Sequence, residues 1–215
     1  LVGTPILTGS LIRLILGIWA DQYGGRVVYT VTMLSAALMT ALLTFAHDYT
    51  TSLIAALGAG IAGGSFSVGV AYVSKWFPKE KQGTALGIFG AGNVGSAVTK
   101  FTAPFVMVAM GWEAVAQIWA AALVVMAVIF LAVTREDPEQ EARKAGAGKA
   151  QPMREQLKVL KNVQVWRFAL YYFFVFGAFV ALALLLPRYL IGVYGVDIKT
   201  AGMLGAFYSV PASLF

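Results

Sequence analysis

Gly17-Ile-Trp-Ala-Asp21-Gln-Tyr-Gly24-Gly-Arg26 is the stretch on which the fold is decided. It closes an apolar run, Leu1–Ala20, whose one charge is Arg13. Glycine allows a tight turn and a close backbone approach, and Asp21 and Arg26 can latch neighbouring helix ends at one membrane face. The pattern G-x-x-A-D-x-x-G-x-R is therefore a short polar hinge between two apolar helices.

Outward from that hinge the chain keeps the same character. A spanning helix needs about 20 apolar residues, and the runs of that kind are Leu1–Ala20, Val27–Ala46, Tyr49–Ser74, Gln82–Trp112, Ala114–Thr134 and Phe168–Pro187. Thr200–Phe215 is a shorter seventh. None alternates with period two, which argues against a β-barrel. Of the 215 residues 59% are hydrophobic and 12% charged, about half the ~25% charge of a soluble domain. That excludes a soluble enzyme, a disordered segment and a fibrous repeat. The sixteen Lys and Arg sit in short clusters between uncharged runs, which excludes a nucleic-acid face. With no cysteine there is no thiolate metal site, and neither metal nor cofactor is expected.

Basic residues set the orientation. Arg26, the three lysines of Lys75–Lys81, and the eight Lys or Arg of Arg135–Arg167 fall in alternate connections, which the positive-inside rule places in the cytoplasm. The expected division is an N-terminal helical bundle over 1–134, a cytoplasmic inter-domain linker over 135–167, and the start of a second bundle over 168–215. Within the linker, Met153–Lys161 could form a short amphipathic helix on the membrane surface with Leu157 and Leu160 inward, but a solvated inter-domain linker is the preferred reading of this piece. The start at Leu1, without Met or a charged leader, marks the chain as a fragment.

Gly90-Ala-Gly92-Asn-Val-Gly95 fits a dinucleotide fingerprint, but such a site needs a preceding strand and a βαβ unit. A four-residue spacing explains these glycines better. Gly83, Gly87, Ala91, Gly95 and Thr99 make one small-residue face for close helix packing, and Ala56, Gly60 and Gly64 repeat it on the preceding helix.

The hinge motif, Gly17, Asp21, Gly24 and Arg26, resembles the gate motif between helices two and three of the major facilitator superfamily. A second element is more specific. Ala62-Gly-Gly-Ser-Phe66, Trp76-Phe-Pro-Lys79, Gln82-Gly83-Thr-Ala-Leu-Gly87 and Gly92-Asn93-Val-Gly95 together resemble the signature of the nitrate/nitrite porter (NarK-type) family, with Ser65 where many members have Asn. The resemblance implies an all-α polytopic membrane protein, covering helix 2 to the first part of helix 8 of a six-plus-six-helix fold. It implies a non-enzymatic secondary carrier for the small anions nitrate and nitrite, resident in the inner (plasma) membrane and a monomer when full length. Carriage of another small anion or organic solute, or a non-transporting nitrate sensor, are the alternatives.

Arg13 lies eight residues from Asp21, about 12 Å along a helix, close to the midplane of a ~30 Å core. A charge that deep faces a polar path, and Gly9 and Gly17 leave its face open. No Asp or Glu lies inside any span to neutralise it. By the same arithmetic Phe66, Asn93 and Phe176 share its level, with Tyr172 just below. The resemblance makes Arg13 a substrate ligand and has Tyr172 and Phe176 line the site. A planar guanidinium can grip a planar anion with two parallel hydrogen bonds, while aromatic rings cover its faces. Lys100, about 27 Å beyond Gln82, is expected near the outer interface, snorkelling to water or attracting anions. Aligning helix 8 with helix 2 sets Ala212–Phe215 against Gly9–Ile12, so an arginine is expected directly after Phe215. With no acid or His in a span, nitrate/nitrite exchange is favoured over proton symport.

Overall fold

The computed structural model describes residues 3–146 and 152–214, which contain helices and no strand. Leu1, Val2, residues 147–151 of the Ala/Gly/Lys stretch and Phe215 lie outside them. The helices are α1 (Thr4–Tyr23), α2 (Gly25–Leu42), α3 (Tyr49–Ala59), α4 (Ser65–Ser74), α5 (Lys79–Gly90), α6 (Val94–Met110), α7 (Trp112–Val133), α8 (Pro138–Lys144), α9 (Met153–Gln156), α10 (Val163–Tyr194) and α11 (Ile198–Leu214). Short 3-10 turns join α3 to α4 at Gly60–Gly64 and α5 to α6 at Ala91–Asn93. Four helical stretches are long and apolar enough to cross a membrane: Gly25–Phe45, Tyr49–Ser74, Trp112–Val133 and Val163–Tyr194. Their outer faces are bare hydrocarbon, as at Val133 and Val175, which suits lipid rather than water.

The helix ends follow local chemistry. Asp48 caps α3 by accepting from the Thr51 N–H at 3.4 Å, and Asn162 caps α10 through the Gln164 N–H at 2.9 Å. Asp197 receives the N–H groups of Lys199 and Thr200, both at 3.1 Å, at the start of α11. Side-chain hydrogen bonds, from Thr51 to Asp48 and from Thr200 to Asp197, are the main cause holding these two carboxyls below their usual range. Gly111 (φ 90°) and Gly195 (φ 63°) end α6 and α10 in backbone conformations that side chains disfavour.

Contacts divide the chain into two compact units, Leu1–Phe89 with Trp112–Gln151, and Gly90–Gly111 with Pro152–Phe215. In the first, α1 lies against the Gly60–Gly64 turn so closely that a Cβ on Gly9 would sit 2.9 Å from the Gly60 carbonyl oxygen and 3.0 Å from Gly63 Cα. Leu16, Ala20, Val28 and Val68 close the core beneath. In the second, α6 packs on α11, and α11 on α10.

Three features differ from the sequence reading. Gly9 is buried against α1's neighbour and leaves no face open, whereas Gly17 meets nothing within 4 Å. Pro187 does not end its helix: α10 runs on to Tyr194, and Gly205 of α11 leaves room for the ring, since a Cβ there would meet Pro187 Cγ at 3.0 Å. The segment after α7 is not solvated throughout, because Asp137 is completely buried. Further on, Leu157 and Leu160 are exposed.

Candidate anion site and its charge lock

Gly24 (φ 94°) lets the chain turn between α1 and α2, and a Cβ there would press on the Glu136 carboxylate at 2.9 Å. Around this turn the charges interlock. The Lys75 ammonium, at the end of α4, lies 3.0 Å from Asp21, 3.5 Å from Glu139 and 3.9 Å from Asp137. Asp137 caps α8 by accepting from the Gln140 N–H at 2.9 Å and also takes the Gly25 N–H at 3.5 Å. Arg143 donates to the Asp21 carbonyl and pairs with Glu139 at 3.6 Å. Arg26 donates to the Leu131 carbonyl near the end of α7, where a cation also favours the helix dipole. Gln82 of the signature donates to the carbonyls of Ser74 (2.8 Å) and Phe77 (3.2 Å), closing the α4–α5 loop. Four helix ends and α8 are thus tied by compensated charges.

Deeper in the same unit no carboxylate among the described residues pairs with Arg13. Its Nε donates to the Gly63 carbonyl at 3.1 Å, a bond available because Gly9 and Gly63 bring the two backbones together. Ser67 Oγ donates to the Arg13 carbonyl at 3.3 Å. Among the described residues nothing else pairs with the guanidinium, so its two terminal nitrogens are free to donate. One residue before Ser67, Phe66 packs on Phe89 with centroids 5.3 Å apart. Phe89 in turn covers Gly69, where no side chain would fit.

The remaining expected residues belong to the second unit. Tyr172 and Phe176 stack on α10, 4.9 Å apart and 11° from parallel. The series continues through Phe179 (5.9 Å) to Tyr208 of α11 (6.0 Å). Asn93 ends the Ala91–Asn93 turn, which touches α11. Arg13 and Phe66 thus belong to the first unit, and Tyr172 and Phe176 pair within the second. Of the small-residue positions, Gly60 and Gly64 are packed against α1, while Gly87, Gly92 and Gly95 face open space. Sequence reading missed Phe89, Tyr208 and the α8 lock. Phe179 was legible as the next residue on the Tyr172–Phe176 helix face.

Lys100 departs from the snorkelling expectation. Its ammonium turns to Ser209 of α11, at 2.5 Å, and Ser209 is fully buried.

The family model of the Major Facilitator Superfamily matches residues 1–215. The chain is 43% identical over 222 residues to the probable nitrate/nitrite antiporter NarK1 of Thermus thermophilus, covering 97% of this chain and 48% of that protein. It is 33% identical to the nitrite extrusion protein of Bacillus subtilis (98% and 51% covered) and 32% identical to the probable nitrate/nitrite transporter NarK2 of Mycobacterium tuberculosis (100% and 54% covered). The chain spans about half the length of the curated relatives it matches. With its apolar helices, the match makes it a multi-pass protein of the plasma membrane. The chain belongs to the major facilitator superfamily, and its relatives there are named as nitrate and nitrite transporters.

Proposed function

We propose that the full-length protein is a non-enzymatic carrier of nitrate and nitrite that works by alternating access, with Arg13 as the ligand for the anion. The observation that carries this reading is a guanidinium at mid-helix depth whose only partner among the described residues is a backbone carbonyl. A permanent charge in that position is costly unless a counter-ion visits it. Nitrate is flat and singly charged, and the fork of an arginine matches two of its oxygens. Phe66, Tyr172 and Phe176 are the proposed aromatic walls, and Asn93 a donor to a remaining oxygen. The segment 1–134 would supply one half of the carrier, 168–215 the start of the other, and 135–167 their connection, with the two halves rocking about the site. A tetrahedral, multiply charged anion fits flat walls poorly. The names of the relatives support the same substrate class.

The absence of Asp, Glu or His inside the predicted spans leaves these helices without a buried proton carrier, which favours nitrate/nitrite exchange: the returning anion resets the arginine charge. In proteoliposomes of the full-length protein, internal nitrite should stimulate nitrate uptake more than an inward proton gradient does. A larger stimulation by the proton gradient would move the assignment to symport, and no nitrate counterflow at all would remove the carrier reading.

A further inference from the structure

Lys100 lies ten residues before Met110, the last residue of α6, about 15 Å from that end. Its surroundings are unusually bare for an ammonium at such depth. Along α11, Gly202, Gly205 and Ser209 face α6: a Cβ on Gly202 would sit 2.6 Å from the Lys100 carbonyl oxygen, and one on Gly205 3.6 Å from Lys100 Cδ. The lysine stem therefore runs along a glycine groove, and the ammonium ends on Ser209 Oγ at 2.5 Å. That hydroxyl donates its proton to the Gly205 carbonyl at 2.9 Å, so a lone pair receives the lysine. An ammonium has three protons to donate, and among the described residues Ser209 is its one partner and no carboxylate faces it. Next to Ser209 in the chain, Tyr208 ends the aromatic series that begins at Tyr172 and Phe176. At the outer start of α11 a second cation, Lys199, stands 5.4 Å over the Phe105 ring. Within this unit two cations thus precede the aromatic series, the arrangement that draws an anion inward.

We infer that Lys100 and Ser209 form a second station for a small monovalent anion, in the outer half of the membrane and ahead of the Tyr172–Phe176 pair. The ammonium supplies the charge, the serine hydroxyl holds it when no anion is present, and the uncompensated proton donors receive the anion's oxygens. This inference rests on the carrier reading above and adds an entry step to it.

The test is the KM for external nitrate in counterflow by the full-length protein in proteoliposomes, with melting temperatures recorded alongside. K100Q should raise KM about fivefold and leave kcat within about twofold, the split expected when an encounter site is lost and the later steps are intact. K100R keeps the charge and should stay within about twofold of wild type. An unchanged KM in K100Q overturns the station, and so does a K100R protein as impaired as K100Q, which would make the lysine a packing element. Should K100Q fail to fold, S209A decides: with the ammonium released from its resting partner KM should fall, and an unchanged or raised KM overturns the proposal. Failure of the carrier reading shows separately, as a wild-type protein that carries no nitrate.

Discussion

The end and the middle of α1 treat charge in opposite ways. At its C-terminal end Lys75 is surrounded by Asp21, Glu139 and Asp137, the last fully buried. Two turns up the same helix Arg13 meets, among the described residues, a single backbone carbonyl. Buried charges are stable when paired and costly when alone, so the first cluster is complete in itself while the second lacks a counter-charge. The contrast separates a structural lock from a place for a passenger. It also explains the glycines: Gly24 lets the lock close, and Gly9 with Gly63 holds the carbonyl that orients Arg13.

The largest way to break this contrast is to remove the unpaired cation. Truncating one partner of a buried charge pair costs about 2–5 kcal/mol, roughly thirtyfold to several-thousandfold in affinity. Arg13→Gln should lower nitrate binding by that range in the full-length protein, measured by equilibrium binding, with little change in melting temperature. The lock should answer in the reverse sense. Asp137→Ala removes the cap of α8 and a carboxylate beside Lys75, and is expected to destabilise by about 3 kcal/mol in denaturant unfolding. Asp137→Asn, which can still cap, should cost less, and equal losses in the two variants would show that the ion pair matters more than the cap.

Smaller effects sharpen the geometry. Gly63→Ala would place a methyl 3.1 Å from Gly9 Cα, and overpacking of this kind costs about 1–3 kcal/mol. Gly17→Ala, with nothing within 4 Å, should instead stabilise α1 by about 0.5–1 kcal/mol. Thermal melts of the pair should move apart, and parallel shifts would contradict the packing described. The smallest effect is acid sensitivity. Asp48 and Asp197 have carboxyls lowered by hydrogen bonds from Thr51 and Thr200. Their stabilisation is present above the unfolded carboxyl value of about 3.9 and is lost as pH falls through the lowered folded values. Asp48→Asn should therefore lower stability slightly near neutrality and flatten its fall below about pH 4, where the two proteins converge.

Much of this was legible from residue types alone. Runs of apolar residues marked the membrane helices, because hydrocarbon leaves the backbone few other choices. Arg13 stood out because it interrupts one of those runs. The Phe168–Pro187 run fell short of the helix, since it stops at the charge of Arg188 whereas α10 continues to Tyr194, with Gly205 of another helix making room for the proline ring. The lock was half visible: Asp21 and Arg26 were legible as latches, but their partners sit in 135–144, whose charge and Pro138 read as a tether. Nothing local distinguishes a solvated Asp137 from one that caps α8 inside a charge cluster. Gly9 was misjudged for the same reason, as its packing depends on Gly60 and Gly63 some fifty residues away. Lys100 read as exposed because depth along one helix does not tell which neighbour offers a hydroxyl.

The central claim is that the fork of Arg13, and not merely its charge, holds the anion. Arg13→Lys keeps the positive charge and loses the planar pair of donors. Nitrate affinity of the full-length protein should fall at least about tenfold in this variant, the loss of about 1.4 kcal/mol, while melting temperature stays near that of the wild type. Wild-type nitrate affinity in Arg13→Lys would contradict the account.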